Sequence, residues 1–265
     1  MASVAEWVEG ARPRTLPAAI APVVAGLGVT GYTGTDLSAM HVAVAALLAL
    51  LVALALQIGV NYFNDYSDGV RGTDSVRVGP VRLVGQGLAP ASQVKRAALL
   101  SLGTAAVLGT ALVLVSRQWI LLPIGVAAVL AAYGYTGGKH PYGYLGLGDV
   151  FVFIFFGPVA VCGTTLVTGG GLWPVAVLTS IAIGILTVNI LVANNLRDRA
   201  LDERAGKRTL SVRLGEEKTR RLFAVSNMVA FVIVAWLAIL ATPWALLGMT
   251  GAIPAVRASQ DVLEH

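Results

Sequence analysis

Apolar runs of about 20 residues recur at 15–33, 41–60, 94–115, 118–136, 148–168, 172–193 and 221–241, and they leave this chain one kind of solvent. A run of that length satisfies its own backbone hydrogen bonds as a helix and matches the hydrocarbon thickness of a bilayer. An eighth run, 243–256, is weaker and at about 14 residues short for a span. The sequence therefore predicts an all-α fold: a polytopic membrane bundle of about eight transmembrane helices in a single domain over 1–265. Composition agrees, because only 12% of residues are charged where a soluble domain carries about 25%. The 30 glycines suit helices packed closely in lipid. Cys162 is the sole cysteine, which excludes an intramolecular disulfide and reads as a small core residue. The opening Met1 to Trp7 is acidic and amphipathic, so no cleavable signal peptide is expected.

Lys and Arg then orient the bundle. They fall on alternate connections: Arg12 and Arg14; Arg71, Arg77, Arg82, Lys95 and Arg96; Lys139; the cluster from Arg197 to Arg221; and Arg257. Of the 19 cations only Arg117 lies on the other side. The positive-inside rule places the cationic face in the cytoplasm, as expected for a multi-pass protein of the cell membrane. Topology and lipid headgroups account for the net charge of +5, so the bilayer is the expected partner and nucleic acid is not. Oligomeric state leaves no mark in the sequence.

Two cytoplasmic connections are long, about 61–93 and 194–220, and long polar connections in a compact membrane protein are where function is expected. They also resemble each other. Asn64-Asp65-Tyr-Ser-Asp68 and Asn194-Asn195-Leu-Arg-Asp198 align at an offset of 130 residues, and Val81-Arg82-Leu83 recurs as Val212-Arg213-Leu214. Two pseudo-repeated halves follow, about 10–137 and 140–265, each with an acidic motif facing one cytoplasmic-side cavity.

Of the 14 acidic residues, seven cluster near these helix ends: Asp65, Asp68, Asp74, Asp198, Asp202, Glu203 and Glu216. On a helix, Gln57, Asn61, Asn64, Asp65 and Asp68 share one face, as do Asn194, Asn195, Asp198 and Asp202. Such stripes are costly against lipid and belong against a protein cavity. Capping explains single acids, but not their repetition and facial alignment. Carboxylates a turn apart repel unless something positive lies between them, and oxygen-only donors select hard cations, Mg²⁺ above all where phosphates complete the shell. Arg82, Lys139, Lys207 and Arg208 are candidate clamps for phosphate oxygens.

These residues resemble the intramembrane aromatic prenyltransferases that include the 4-hydroxybenzoate polyprenyltransferases, with their NDxxDxxxD and DxxxD motifs. Asn64, Asp65 and Asp68 match the first motif, whose last acid position is Gly72 here, with Asp74 two residues on; Asp198 and Asp202 match the second in full. Further strings are similar to the 1,4-dihydroxy-2-naphthoate polyprenyltransferases: Ala11-Arg-Pro-Arg14, Asn61 to Asp68, Tyr135-Thr-Gly-Gly138 with Pro141-Tyr142, Leu145-Gly-Leu-Gly-Asp149, and Asn194 through Thr209. That family usually has nine transmembrane helices, so a last helix is expected to lie outside this sequence.

The resemblance implies Mg²⁺-dependent transfer of a polyprenyl group from polyprenyl diphosphate to an aromatic acid, 1,4-dihydroxy-2-naphthoate, with loss of CO₂, in menaquinone biosynthesis. It implies Asn64, Asp65, Asp68, Asp198 and Asp202 as metal ligands, and Asn64, Arg82, Asn194, Asn195, Lys207 and Arg208 around the diphosphate. It also implies Arg14, Tyr135, Lys139, Tyr144 and Asp149 around the acceptor. Tyr62, Tyr66, Tyr133 and Tyr142 complete the stock of rings that can shelter an allylic cation. Two alternatives remain at this point: another acceptor such as 4-hydroxybenzoate, and, in a different class, an ion-coupled transporter. A transporter wants its acids near the bilayer midplane, whereas these lie at helix ends.

Overall fold

The computed structural model describes residues 2–72, 81–138 and 141–264. The short helix α1 (Val4–Gly10) is capped by Ser3 and leads through a 3₁₀ turn at Pro13–Thr15 into α2 (Leu16–Thr33). α3 (Ala39–Val70), α4 (Ala91–Ser116) and α5 (Leu121–Thr136) follow. α6 (Gly148–Ile154) continues through a π-helical stretch at Phe155–Cys162, which contains Pro158, into α7 (Gly163–Gly169). A proline removes one backbone donor, and a π-bulge is one way the ladder absorbs that loss. Then come α8 (Pro174–Arg197), α9 (Arg199–Arg204), α10 (Leu210–Leu214), α11 (Glu216–Leu240) and α12 (Ala252–Glu264).

Among the described residues, six helical stretches are long and apolar enough to cross a membrane, and Leu121–Thr136 is a shorter apolar helix. The eighth predicted run is corrected: it forms a 3₁₀ segment at Pro243–Gly251 followed by α12, not one helix. Arg220, near the start of α11, donates to the Val262 carbonyl near the end of α12, so the chain returns to the end it left.

Large side chains such as Leu100, Val107 and Ile239 stand 72%, 70% and 82% exposed, a surface that lipid, not water, has to cover. Inside, small residues and hydroxyls let backbones approach. A Cβ on Gly157 would lie 2.6 Å from the Ser180 carbonyl, and one on Gly26 would lie 2.7 Å from the Val161 carbonyl. Thr30 and Thr168 share a 2.7 Å hydrogen bond between α2 and α7. Asn189 of α8 donates to Asn227 of α11 at 2.8 Å, and Asn227 donates to Ser259 of α12 at 3.2 Å.

The length of α3 positions the site. Its 32 residues extend about 48 Å at 1.5 Å per residue, well beyond a hydrocarbon core of about 30 Å. The last turns, carrying Asn64 to Asp68, therefore project from lipid at the end where α8 stops and α4 and α11 begin.

Candidate active site

A cavity of about 700 Å³ opens at this end of the bundle. Asn64, Asp68, Asn194, Asn195, Asp198 and Asp202 all line it, with Arg14, Arg82, Tyr135, Tyr144 and Lys207. The two acidic motifs thus face one another across a single space.

The polar stripe of α3 divides its labour. Gln57 donates to Thr15 Oγ1 at 3.0 Å, and Asn61 donates to the Ala11 carbonyl at 2.8 Å and Thr15 Oγ1 at 3.0 Å. These two amides hold the N-terminal segment against α3 instead of facing the cavity. Asn64 accepts from Thr136 Oγ1 at 3.0 Å, and Asp68 accepts from the Tyr144 hydroxyl at 2.6 Å and Lys207 Nζ at 2.8 Å.

Asp65 is a correction to the expectation that it faces the cavity as a metal ligand. It is 1% exposed and absent from the cavity wall, and its two oxygens accept the backbone N–H groups of Leu83 at 2.7 Å and Val84 at 3.0 Å. Its charge-assisted bonds fold the segment after position 80 back onto α3, which brings the buried Arg82 to the cavity.

The second motif spans a break in the helix. α8 ends at Arg197, Asp198 takes φ −91° and ψ 3°, and α9 resumes at Arg199. The i, i+4 backbone bonds persist through it, Asp198 N–H to Asn194 at 3.0 Å and Asp202 N–H to Asp198 at 2.9 Å, so both acids keep to one side. Asp202 in turn accepts the Lys207 N–H at 2.8 Å, closing the turn that delivers Lys207.

Tyr144 arrives on a 3₁₀ turn, Tyr142–Leu145, strapped to the segment after α9. The Arg208 N–H donates to the Tyr144 carbonyl at 2.8 Å, and Arg213 donates to the Leu145 carbonyl at 2.8 Å. Gly146 follows at φ +75°, where a Cβ would lie 2.6 Å from the Arg208 carbonyl, so the strap needs glycine there. Burial, with the Asp68 carboxylate next to it, holds the Tyr144 phenol above its ordinary range, and burial does the same for Tyr142; Tyr144 thus remains a proton donor to Asp68.

Two expected residues are placed elsewhere. Arg208 is exposed and off the cavity wall, contributing its backbone instead. Asp149 is buried behind Tyr135 at the start of α6, with Oδ1 lacking a hydrogen-bond partner, and does not line the cavity. Lys139 and Asp74 lie outside the described residues.

Sequence reasoning gave Arg12, Arg71 and Arg197 no role beyond topology. Arg12 lines the cavity with φ +55° and ψ 68°, a costly conformation for a residue with a Cβ, kept where the surroundings impose it. Its signal lay in Ala11-Arg-Pro-Arg14. Arg71 donates to Ser67 Oγ at 2.7 Å and the carbonyls of Thr136 at 3.0 Å and Gly138 at 2.8 Å, and lies 4.9 Å over the Tyr144 ring. It pins the end of α5 to α3. Arg197 pairs with Asp198 through Nε and Nη2, at 2.8 and 3.0 Å.

Among the described residues no three His, Cys, Asp or Glu side chains converge as a ready-made metal site. The donor set still fits a hard cation that brings phosphate with it: three buried carboxylates and three amides around one cavity. A buried ammonium already stands against two of those carboxylates, 2.8 Å from Asp68 and 4.0 Å from Asp202. The acids lie at helix ends, not at mid-helix, unlike the sites of transporters.

Comparison with known proteins gives concordant findings. Residues 19–263 match the UbiA prenyltransferase family. The chain is 51% identical to a 1,4-dihydroxy-2-naphthoate octaprenyltransferase of Mycobacterium tuberculosis, covering 99% of this chain and 87% of that protein. It is 38% identical to the Escherichia coli protein of the same description, over 89% of this chain and 81% of that one. In fold it is similar to a UbiA homolog from Archaeoglobus fulgidus bound to GPP and Mg²⁺, with a TM-score of 0.70 at 14% identity, covering 97% of this chain and 86% of that chain.

Proposed function

Because the chain belongs to the UbiA prenyltransferase family, we propose that this integral membrane prenyltransferase moves a polyprenyl chain from polyprenyl diphosphate to 1,4-dihydroxy-2-naphthoate in a Mg²⁺-dependent reaction of menaquinone biosynthesis. The observation that carries the reading is the meeting of both acidic motifs with Arg12, Arg82 and Lys207 in one cavity. The names of its relatives support the acceptor.

Asp68, Asp198 and Asp202, with Asn64, Asn194 and Asn195, would hold the metal. Bound there, it supplies positive charge to the departing diphosphate. Arg12, Arg82 and Lys207 donate to phosphate oxygens, and the arginines can do so through two N–H groups at once. As the allylic C–O bond breaks, its electron pair leaves with the diphosphate. The ring faces of Tyr135 and Tyr144 then shelter the carbocation. The ring carbon of the naphthoate that bears the carboxylate bonds to the allylic carbon, and the pair that held the carboxylate returns to the ring as CO₂ departs, giving a demethylmenaquinol. Arg14 at the rim and Lys139 are proposed partners of the acceptor carboxylate. Asp149, behind Tyr135, is proposed to act on the acceptor through that phenol.

Purified protein with a prenyl diphosphate and a panel of aromatic acids tests this, with product mass as the readout. A decarboxylated prenyl naphthoquinol formed with Mg²⁺ and abolished by EDTA is expected; product only from 4-hydroxybenzoate would reassign the acceptor. We place the cavity on the cytoplasmic side of the cell membrane. With Cys162 replaced, cysteines at Gln86 and Glu203 should resist an impermeant thiol reagent added to intact cells, while one at Thr35 reacts. The opposite pattern inverts the topology.

A further inference from the structure

Lys207 stands where the two acidic segments meet. Its side chain is 7% exposed, and those of Asp68 and Asp202 are 5% and 4% exposed. Besides its 2.8 Å bond to Asp68 and 4.0 Å approach to Asp202, its ammonium lies 4.5 Å over the Tyr144 ring. Tyr144 donates at 2.6 Å to the same Asp68 oxygen, so an ammonium and a phenol converge on one carboxylate atom. The base of the lysine is fixed by its own N–H on the Asp202 carbonyl, after a turn at Gly206 with φ +74°. The arrangement is therefore built from both halves of the chain.

Buried carboxylates brought together are stabilised by positive charge between them, and removing part of it raises the cost of burying them. Lys207 contributes to that charge from 2.8 Å and 4.0 Å. It is also the cation best suited to giving the place up. A lysine is a compact charge on a flexible four-carbon stem, which can turn to a new acceptor while its backbone stays pinned.

We propose that Lys207 is a resident cation that competes with Mg²⁺ for Asp68 and Asp202, so that this acidic pair accepts the metal efficiently only with a diphosphate that draws the ammonium away. The inference rests on the metal–diphosphate reading of the cavity and adds an order of events to it. A bare divalent ion has to displace a buried ion pair and leave the ammonium without its carboxylate partner. A diphosphate offers that ammonium new anionic oxygens, so the exchange proceeds without an unpaired buried charge at any point. Lys207 thereby keeps the two motifs together before substrate arrives and makes the site selective for a metal–diphosphate unit over free metal.

The test is Mn²⁺ binding to the purified protein without any diphosphate, followed by electron paramagnetic resonance. Lys207→Gln keeps a donor for Asp68 but removes the charge, and Lys207→Met removes both. Each should bind Mn²⁺ about tenfold or more tightly than the unaltered protein, in the range of ordinary coupling between competing ligands. Affinity unchanged in both variants, while Asp68→Asn abolishes binding, overturns the competition and leaves the metal site standing. Binding that survives Asp68→Asn overturns the metal site and the inference together. If the Lys207 variants aggregate in metal-free buffer, recovery of monodisperse protein on adding Mn²⁺ supports the proposal, and failure to recover overturns it.

Discussion

At the end of α3, Asn64 and Asp68 face the cavity while Asp65, between them, lies off its wall and takes two backbone amides of the segment at Leu83 and Val84. At the end of α8, Asn194, Asn195 and Asp198 all line the cavity. Asn195 stands where the first motif has Asp65, and its segment crosses a helix break where α3 runs on unbroken. The cations differ as well. Asp68 meets Lys207 in a buried pair, whereas Asp198 meets Arg197, whose side chain is 50% exposed. Two similar strings thus give one motif that both lines the cavity and holds a loop, and another whose members line the cavity. The carboxylate at position 65 holds a loop and does not line the cavity.

The largest effect should come from the acids that do face the cavity. Asp68→Asn and Asp198→Asn should each lower turnover by about two orders of magnitude, the scale of removing one transition-state electrostatic contact. A variant that keeps more than a tenth of the turnover at saturating Mg²⁺ would take its motif out of the metal site. Asp65→Asn sharpens the contrast, because its loss should appear in stability. Half of its amide acceptance weakens in a buried place, which costs about 1–3 kcal/mol. The melting temperature in detergent should fall, and turnover per folded molecule should stay within about threefold of the unaltered protein. A Mg²⁺ requirement shifted by Asp65→Asn would erase the distinction between the motifs.

Smaller still, Tyr144→Phe removes the phenol bond to Asp68 and keeps the ring. It should lower turnover about fivefold, the equivalent of roughly 1 kcal/mol. Kinetics at varied Mg²⁺ would separate this from a loss of acceptor binding, in which only the acceptor KM moves. Arg197→Ala should matter least, under about 1 kcal/mol, because an exposed pair is screened by water and salt. A loss larger than that of Tyr144→Phe would make Arg197 a direct diphosphate ligand and bring the second motif closer to the first.

Much of the site was legible in the residues. Acids repeated at an offset of 130 residues, each after a long apolar run, marked the two helix ends that the structure brings together. The facial stripe on α3 was legible too, but not what each member touches. Gln57 and Asn61 share a helical face with Asn64 and Asp68, yet the N-terminal segment at Ala11 and Thr15 claims them. Spacing fixes which residues lie together on a helix; it carries no information about which neighbour covers that face. Arg12 escaped notice for the same reason, since its left-handed backbone follows from a docking partner some 50 residues away.

The sequence by itself determined the solvent, the helices and the end of the bundle where chemistry gathers. Lipid leaves a long apolar run only one way to satisfy its backbone, and 12% charged residues leave few places for cations and acids to stand. Only the tertiary structure decided that Asp65 is a structural acid, that Arg208 gives its backbone and not its charge, and that the ammonium of Lys207 lies between the two motifs. Those outcomes depend on how far each helix is rotated and where each connection returns, which is set by packing between segments distant in the chain.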